Sequence, residues 1–178
     1  MKLLENETIR LRAPEPEDLD KLYRWENESS LWETGSTLSP YSRYILKQYI
    51  ADSGNDLYDR KQLRLIIELK ETLTAIGTID LYDFDPHHRR AGVGIIVDSA
   101  HQKKGFGKSA LNLLIDYAFS FLKIHQLYAY IPVKNIPSLH LFEQCGFQTM
   151  GLLHDWLLTT KGYTDVQMMG KIINKTKS

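Results

Sequence analysis

Val93-Gly-Ile-Ile-Val97 leads through Asp98-Ser-Ala-His101 into Gln102-Lys-Lys-Gly-Phe-Gly-Lys-Ser109, and that octapeptide opens the apolar-periodic stretch Ala110-Leu-Asn-Leu-Leu-Ile-Asp-Tyr-Ala-Phe119. The first segment reads as a buried strand, Ala91 to Val97. The last reads as a helix from Gly105 to Phe121, with Ala110, Leu111, Leu114, Ile115, Ala118 and Phe119 on one face. Between them lies a basic glycine loop. The first turn of a helix leaves backbone N–H groups unpaired at the positive end of its dipole. Successive N–H groups pointing one way make a nest for an anion. Gly105 and Gly107 permit a tight turn and a close approach, while Lys103, Lys104 and Lys108 add positive charge. A pyrophosphate suits such a loop. The competing reading is a glycine turn that merely starts a helix. The ATP-type spacing Gly-x-x-x-x-Gly-Lys-Ser/Thr is absent, and so is a third glycine at the dinucleotide spacing.

Upstream, Thr8 to Ala13 alternates as a first strand, and Pro14 to Asp18 is a helix entry followed by Leu19, Leu22, Tyr23 and Trp25 at helical spacing. Ser39-Pro40 reads as a second helix entry, with Ile45, Leu46, Tyr49 and Ile50 along one face, and Asp52 to Lys61 reads as a loop. Leu63–Leu69, Ala75–Tyr82 and Ala91–Val97 make three strands with short connections, the second turning at Asp83 to His88, which implies an antiparallel meander. Downstream come a strand at Leu127–Val133, a helix at Ile136–Cys145 and a hairpin, Phe147–Leu158 and Tyr163–Ile173, around Gly162. The order predicts an α+β (mixed α/β) fold: a single domain, 1–178, with a mixed, mostly antiparallel sheet of about seven strands flanked by about four helices.

The chain has 178 residues and a formal net charge of zero, so no bulk basic field points to nucleic acid. No segment is apolar enough to span a membrane, and the N-terminus has no signal-peptide pattern. The single cysteine, Cys145, precludes an internal disulfide and fits a small buried residue better than a nucleophile. The expectation is a cytoplasmic protein. His87 and His88 lack a third ligand at metal spacing, so no metal is expected.

Gln-x-x-Gly-x-Gly after a strand and opening a helix resembles motif A of the GNAT acetyltransferases. Val133-Lys-Asn135-Ile-Pro-Ser138-Leu-His-Leu-Phe142-Glu-Gln-Cys-Gly146-Phe147 resembles that superfamily's second motif. Within it, His88-Arg-Arg-Ala91, His101-Gln-x-x-Gly-Phe106 and Tyr163-x-Asp-Val166 are similar to the bacterial spermidine/diamine N-acetyltransferases, with the ribosomal-protein alanine N-acetyltransferases as neighbours. The resemblance implies acetyl-CoA as co-substrate and a sheet splayed after its fourth strand. Ile95, Ile96 and Val97 would then pair with the pantetheine arm. Gln102, Lys103, Lys104, Gly105, Phe106, Gly107, Lys108 and Ser109 would hold the pyrophosphate. Asn135 and Ser138, beside Phe142, would meet the coenzyme near its pantetheine end. The expected acceptor is a small-molecule amine, a polyamine first, or else a protein N-terminus or an amine antibiotic. A homodimer is a further expectation by analogy.

Acetyl transfer needs a neutral amine, a donor for the tetrahedral oxyanion and, preferably, a proton for the departing thiolate. Many relatives carry a Tyr where this chain has Phe142, so that acid is missing. Its loss leaves a non-catalytic acyl-CoA-binding module open as an alternative. Tyr130 is the candidate replacement acid. Asp80, mid-strand, is the candidate base or amine contact. Asp83 is a second contact, read equally well, like Asp85, as a solvated turn acid. Trp25, Glu28, Trp32, Glu33 and Tyr41 are candidates for an acidic, aromatic acceptor pocket; core packing for Trp25 and a solvated helix face for the glutamates are the alternatives.

Overall fold

Four helices of eight or more residues pack on a seven-stranded sheet in the computed structural model, which describes residues 3–32, 39–52, 54 and 57–173. The strands are β1 Ile9–Arg12, β2 Leu63–Leu69, β3 Thr74–Asp85, β4 Arg90–Val97, β5 Gln126–Pro132, β6 Gln148–Thr159 and β7 Gly162–Ile172. The helices are α1 Leu19–Glu26, α2 Ser29–Trp32, α3 Arg43–Ala51, α4 Leu57–Arg60, α5 Phe106–Asp116 and α6 Ile136–Gln144. The sheet order is β1-β2-β3-β4-β5-β7-β6, antiparallel except where β4 meets β5. That single parallel pair follows from α5, which carries the chain back across the sheet before β5 begins.

Apolar side chains divide between the two faces. Ile67, Ile79, Leu81 and Leu127 meet Leu111, Leu114 and Phe142 of α5 and α6 in the larger core. Ile66 and Ala75 meet Leu22 and Trp25 of α1 and Leu46 and Ile50 of α3 in the smaller one. Each fully buried aliphatic side chain contributes about 1.5–3 kcal/mol, so both layers hold the sheet firmly.

Several boundaries differ from the sequence expectation. The second helix starts at Arg43, not beside Pro40; Ser42 is its cap, its Oγ accepting from the Ile45 N–H at 3.1 Å. Asn27 explains the shift, because its side chain binds both the N–H (2.8 Å) and the C=O (3.0 Å) of Tyr41 and so fixes that backbone against α1. The polar segment before β2 contains the one-turn α4, anchored by buried Leu57. β3 runs on through the expected turn to Asp85 by means of a bulge after Tyr82, where Asp83 takes a φ of 47°. The helix expected to reach Phe121 ends at Asp116 and continues as one wider π-turn, Tyr117–Phe121.

Candidate active site

The octapeptide forms a turn that leaves the start of α5 open. Gln102 folds back, its Nε2 donating to the Val97 carbonyl at 2.9 Å, and the Lys104 ammonium donates to the Ala100 carbonyl at 2.9 Å. Lys103 carries a left-handed φ of 60° and Gly105 one of 84°. Gly105 is the residue before α5 and supplies no capping side chain, so the N–H groups of Phe106, Gly107 and Lys108 keep no partner within the helix. Gly107 is helical; a Cβ there would meet Leu141 at 3.5 Å and Val97 at 3.7 Å, ordinary contacts. Its part in the turn is therefore its N–H, not an unusual backbone angle. Ser109 closes the turn: its N–H serves the helix at Gly105, and its Oγ accepts from Asn6 Nδ2 at 2.6 Å, which ties α5 to the N-terminal segment.

Behind the turn stands Asp98. Its carboxylate accepts from Trp25 Nε1 at 3.0 Å, from the Ala100 N–H at 3.1 Å and from Arg24. The Trp25 hydrogen bond above all holds its pKa below the ordinary carboxylate value. Trp25 is thus corrected from a pocket residue to a core residue, 5% exposed, that clasps α1 to the end of β4. Sequence reasoning passed over Asp98. An Asp beside Ser99 is a turn-cap signal, but its partner stands 73 positions away.

Midway along β4 the sheet forks. β4 stays paired with β3 up to Gly77 and Val97, whereas its ladder with β5 covers only Arg90, Ala91 and Gly92 against Gln126, Leu127 and Tyr128. Beyond Gly92 the β4 backbone groups facing β5 have no strand partner. The gap is a cavity of about 130 Å³ lined by Val93, Gly94, Ile95, Ala129, Tyr130, Ile131, Pro132, Asn135, Ser138 and Phe142. It brings together Ile95, Asn135, Ser138, Phe142 and Tyr130, five residues singled out from the sequence. Ile96 and Val97 continue β4 half-buried toward the turn. Asn135 caps α6, its Oδ1 accepting from the Ser138 N–H at 3.3 Å, so its amide nitrogen is the end left for the gap. Phe142 is 2% exposed and packs edge-on against Phe147.

The face of the sheet opposite α5 and α6 carries tyrosines and acids. Tyr82, Gly92 and Tyr128 are register partners in one row across β3, β4 and β5, and Tyr130 is next on the same face. Tyr130 is 41% exposed, with its ring centroid 5.5 Å from that of Tyr128. It therefore reaches the fork from the side away from Phe142. Asp80 lies opposite Gly94, but both its oxygens are held by Arg64, at 2.9 and 2.7 Å, and Arg64 also grips Glu26. Burial opposes the Arg64 charge, yet Asp80 and Glu26 keep its pKa above the ordinary arginine value. Asp80 is corrected accordingly: a carboxylate bound at both oxygens by a buried guanidinium is poorly placed to take a proton from an amine. Asp83 is exposed on the bulge, close enough to raise the pKa values of Tyr82 and Tyr128, in both of which burial is the larger cause.

The remaining pocket candidates are scattered. Trp32 Nε1 donates to the Glu26 carbonyl at 2.9 Å, Tyr41 is 38% exposed and backbone-bound to Asn27, and Glu28 is exposed just past α1. Glu33 lies outside the described residues. Among the described residues no group of three His, Cys, Asp or Glu side chains is arranged to hold a metal, and no helix is long and apolar enough to cross a membrane.

Comparison with known proteins agrees with this geometry. The chain is similar to a spermidine N(1)-acetyltransferase of Vibrio cholerae serotype O1, 28% identical over 176 residues that cover 97% of this chain and 99% of that protein. The crystal structure of spermidine N-acetyltransferase from Vibrio cholerae in complex with CoA and spermine superposes with a TM-score of 0.83 at 29% identity, over 94% of this chain and 96% of that one. A dodecameric structure of that enzyme in an intermediate state gives a TM-score of 0.79 at 27% identity, covering 97% of this chain and 100% of the other. Residues 8–148 match the acetyltransferase (GNAT) domain family, and with the forked sheet and the open helix end in place, this chain belongs to that family of N-acetyltransferases.

Proposed function

We propose that the protein transfers the acetyl group of acetyl-CoA to a primary amine of a polyamine, by direct attack within a ternary complex. The observation that carries the reading is continuity. One strand, β4, leads from the fork to the turn at the uncapped start of α5. The turn suits a pyrophosphate, since its N–H groups open where no capping side chain intervenes and the sequence on either side carries the exposed Lys103 and Lys108. The unpaired edge of β4 suits an amide-bearing arm and offers N–H groups to the oxygen of a thioester carbonyl. Acetyl-CoA supplies the activated acyl group; the protein supplies position, oxyanion donors and an acceptor face.

The relatives whose structure holds CoA and spermine support a polyamine acceptor. On this chain the amine contact passes from Asp80 to Asp83, the exposed acid beside the fork tyrosines. A cationic amine is held there and loses its proton through water before attack. Phe142 offers no proton to the leaving sulfur. Tyr130 and Ser138 are the hydroxyl-bearing residues lining the gap, and Tyr130 is the proposed donor. The dodecameric relative supports assembly into a multimer, beyond the homodimer expected by analogy.

The test is thiol release from acetyl-CoA with spermidine, spermine, an alanine-terminated peptide and an aminoglycoside as acceptors. The expected result is turnover with the polyamines at a rate at least tenfold above that with the peptide. Absence of accelerated thiol release for every amine, with coenzyme still bound calorimetrically, would overturn the enzymatic reading. Faster turnover with the peptide would move the acceptor to a protein α-amine.

A further inference from the structure

We propose that Asp98 divides its carboxylate between the pyrophosphate turn and α1, and so fixes that turn at a set distance from the thioester slot. This rests on the reading of the turn and the fork as the acetyl-CoA site. Asp98 follows β4 directly, and its N–H donates to the Ile76 carbonyl at 2.8 Å, so the sheet still holds its backbone. The two carboxylate oxygens then go separate ways. Oδ1 accepts from the Ala100 N–H at 3.1 Å, while the Asp98 carbonyl accepts from the His101 N–H at 2.8 Å. These bonds shape the entry to the turn, where the Ala100 carbonyl takes the Lys104 ammonium. Oδ2 accepts from Trp25 Nε1 at 3.0 Å and from Arg24, both on α1.

The next residue of α1 anchors the helix a second time. At about 100° per residue, Arg24 and Glu26 lie on opposite flanks of the buried Trp25. Glu26 pairs with Arg64, whose guanidinium holds both oxygens of Asp80 at 2.9 and 2.7 Å. Asp80 is the register partner of Gly94, which lines the gap. Neighbouring residues of one helix therefore reach two stations on the β4 line: Asp98 directly, and Gly94 through Arg64 and Asp80. Four residues separate the stations, about 13 Å of extended chain. A pantetheine arm laid along β4 has to span that interval, with its pyrophosphate on the turn and its thioester in the slot. Capping alone would not require an aspartate, since Asn or Ser accepts from such an N–H equally well. The second oxygen is what joins the turn to α1. Asp98 touches no reacting atom in this account. It is a positioning residue, acting through the turn.

The experiment compares wild type with Asp98→Asn, Trp25→Phe and the double variant. Asn has one acceptor oxygen, so capping the Ala100 N–H turns its amide nitrogen toward Trp25 and Arg24. Trp25→Phe keeps an aromatic ring and removes the donor. Thiol release is followed with acetyl-CoA and with S-acetylpantetheine, a donor cut short before the pyrophosphate, and Tm is measured on each protein. Each single variant is expected to lower kcat/KM for acetyl-CoA roughly five- to tenfold, the size of one hydrogen bond. For the short donor, which does not reach the turn, the change should stay below about twofold. The double variant should fall no more than about twofold below the weaker single, because both substitutions open the same clasp. Wild-type kcat/KM in Asp98→Asn overturns the proposal. So do equal losses with both donors, losses that multiply in the double variant, or a loss that merely follows a fall in Tm. Where the short donor gives no turnover, the double variant and Tm decide. If wild type releases no thiol from acetyl-CoA, the enzymatic reading fails. Calorimetry then decides the clasp: about fivefold weaker acetyl-CoA binding in Asp98→Asn supports it, and equal binding overturns it. Wild type that binds no coenzyme fails the coenzyme reading itself, and the clasp with it.

Discussion

Gly105 and Gly107 serve the coenzyme turn by different means. Gly105 is needed for its angle: its φ is 84° and nothing stands near the place of a Cβ. Gly107 has a helical backbone and room for a small side chain. Gly107→Asp is therefore expected to fold, and its new charge should lower acetyl-CoA affinity by roughly tenfold or more by opposing an anion at the helix start. Calorimetric titration checks this; unchanged affinity in the folded variant contradicts the turn as the anion site. The sequence carried the glycines and lysines of this turn plainly, because the whole pattern of strand, basic Gln-x-x-Gly-x-Gly loop and apolar helix says more than a glycine turn alone. It did not reveal the left-handed Lys103, since lysine has no preference for that region. Nor did it reveal the commitments of Ser109 to Asn6 and of Trp25 to Asp98, contacts made across 103 and 73 positions.

Alternation and helical spacing located most elements, because two buried layers demand apolar residues at those periods. They failed where one polar residue overrules local preference. Asn27 moved the start of α3, and the bulge after Tyr82 extended β3 through a turn-like sequence. Asp80 shows the same limit at the site. A mid-strand acid beside the fork has the position of a base, and only the β2 register shows Arg64 opposite it. The pairing predicts that Asp80→Asn loses stability, by about 1–3 kcal/mol, while keeping a measurable turnover. Arg64→Met, which leaves Glu26 and Asp80 facing each other at low exposure, should cost about 3 kcal/mol or more. Urea unfolding and thiol release on the same samples separate the two roles. Abolished turnover with unchanged stability in Asp80→Asn would return that residue to catalysis.

Over the whole molecule, carboxylates tie separate elements together. Asp18 and Glu68 are opposed by burial but held below their ordinary pKa values by Arg12, with the Glu15 N–H also acting on Asp18 and Arg10 on Glu68; Asp98 is held low first by Trp25. The folded state therefore binds fewer protons than the unfolded chain near these values. That part of the stability is present in full above the unfolded carboxylate range and is lost as pH falls through the lower folded pKa values. Urea midpoints are expected to hold from pH 7 to about 5 and to drop steadily below about pH 4. A flat profile down to pH 3 would show that these clasps contribute nothing.

The uncapped start of α5 has a consequence for the protein's existence without its donor. A helix packed against the central sheet starts with N–H groups that have no partner within the helix and no capping side chain at Gly105. Bound as proposed, the coenzyme would act as a detachable cap on the first turn, completing secondary structure as well as delivering acyl groups. At a hundredfold excess over its dissociation constant such a ligand adds about 2.7 kcal/mol to the fold. The persistence of this protein would thereby be indexed to the supply of coenzyme A, acylated or free, because the pyrophosphate is common to both: depletion of the coenzyme would leave the fold easier to open.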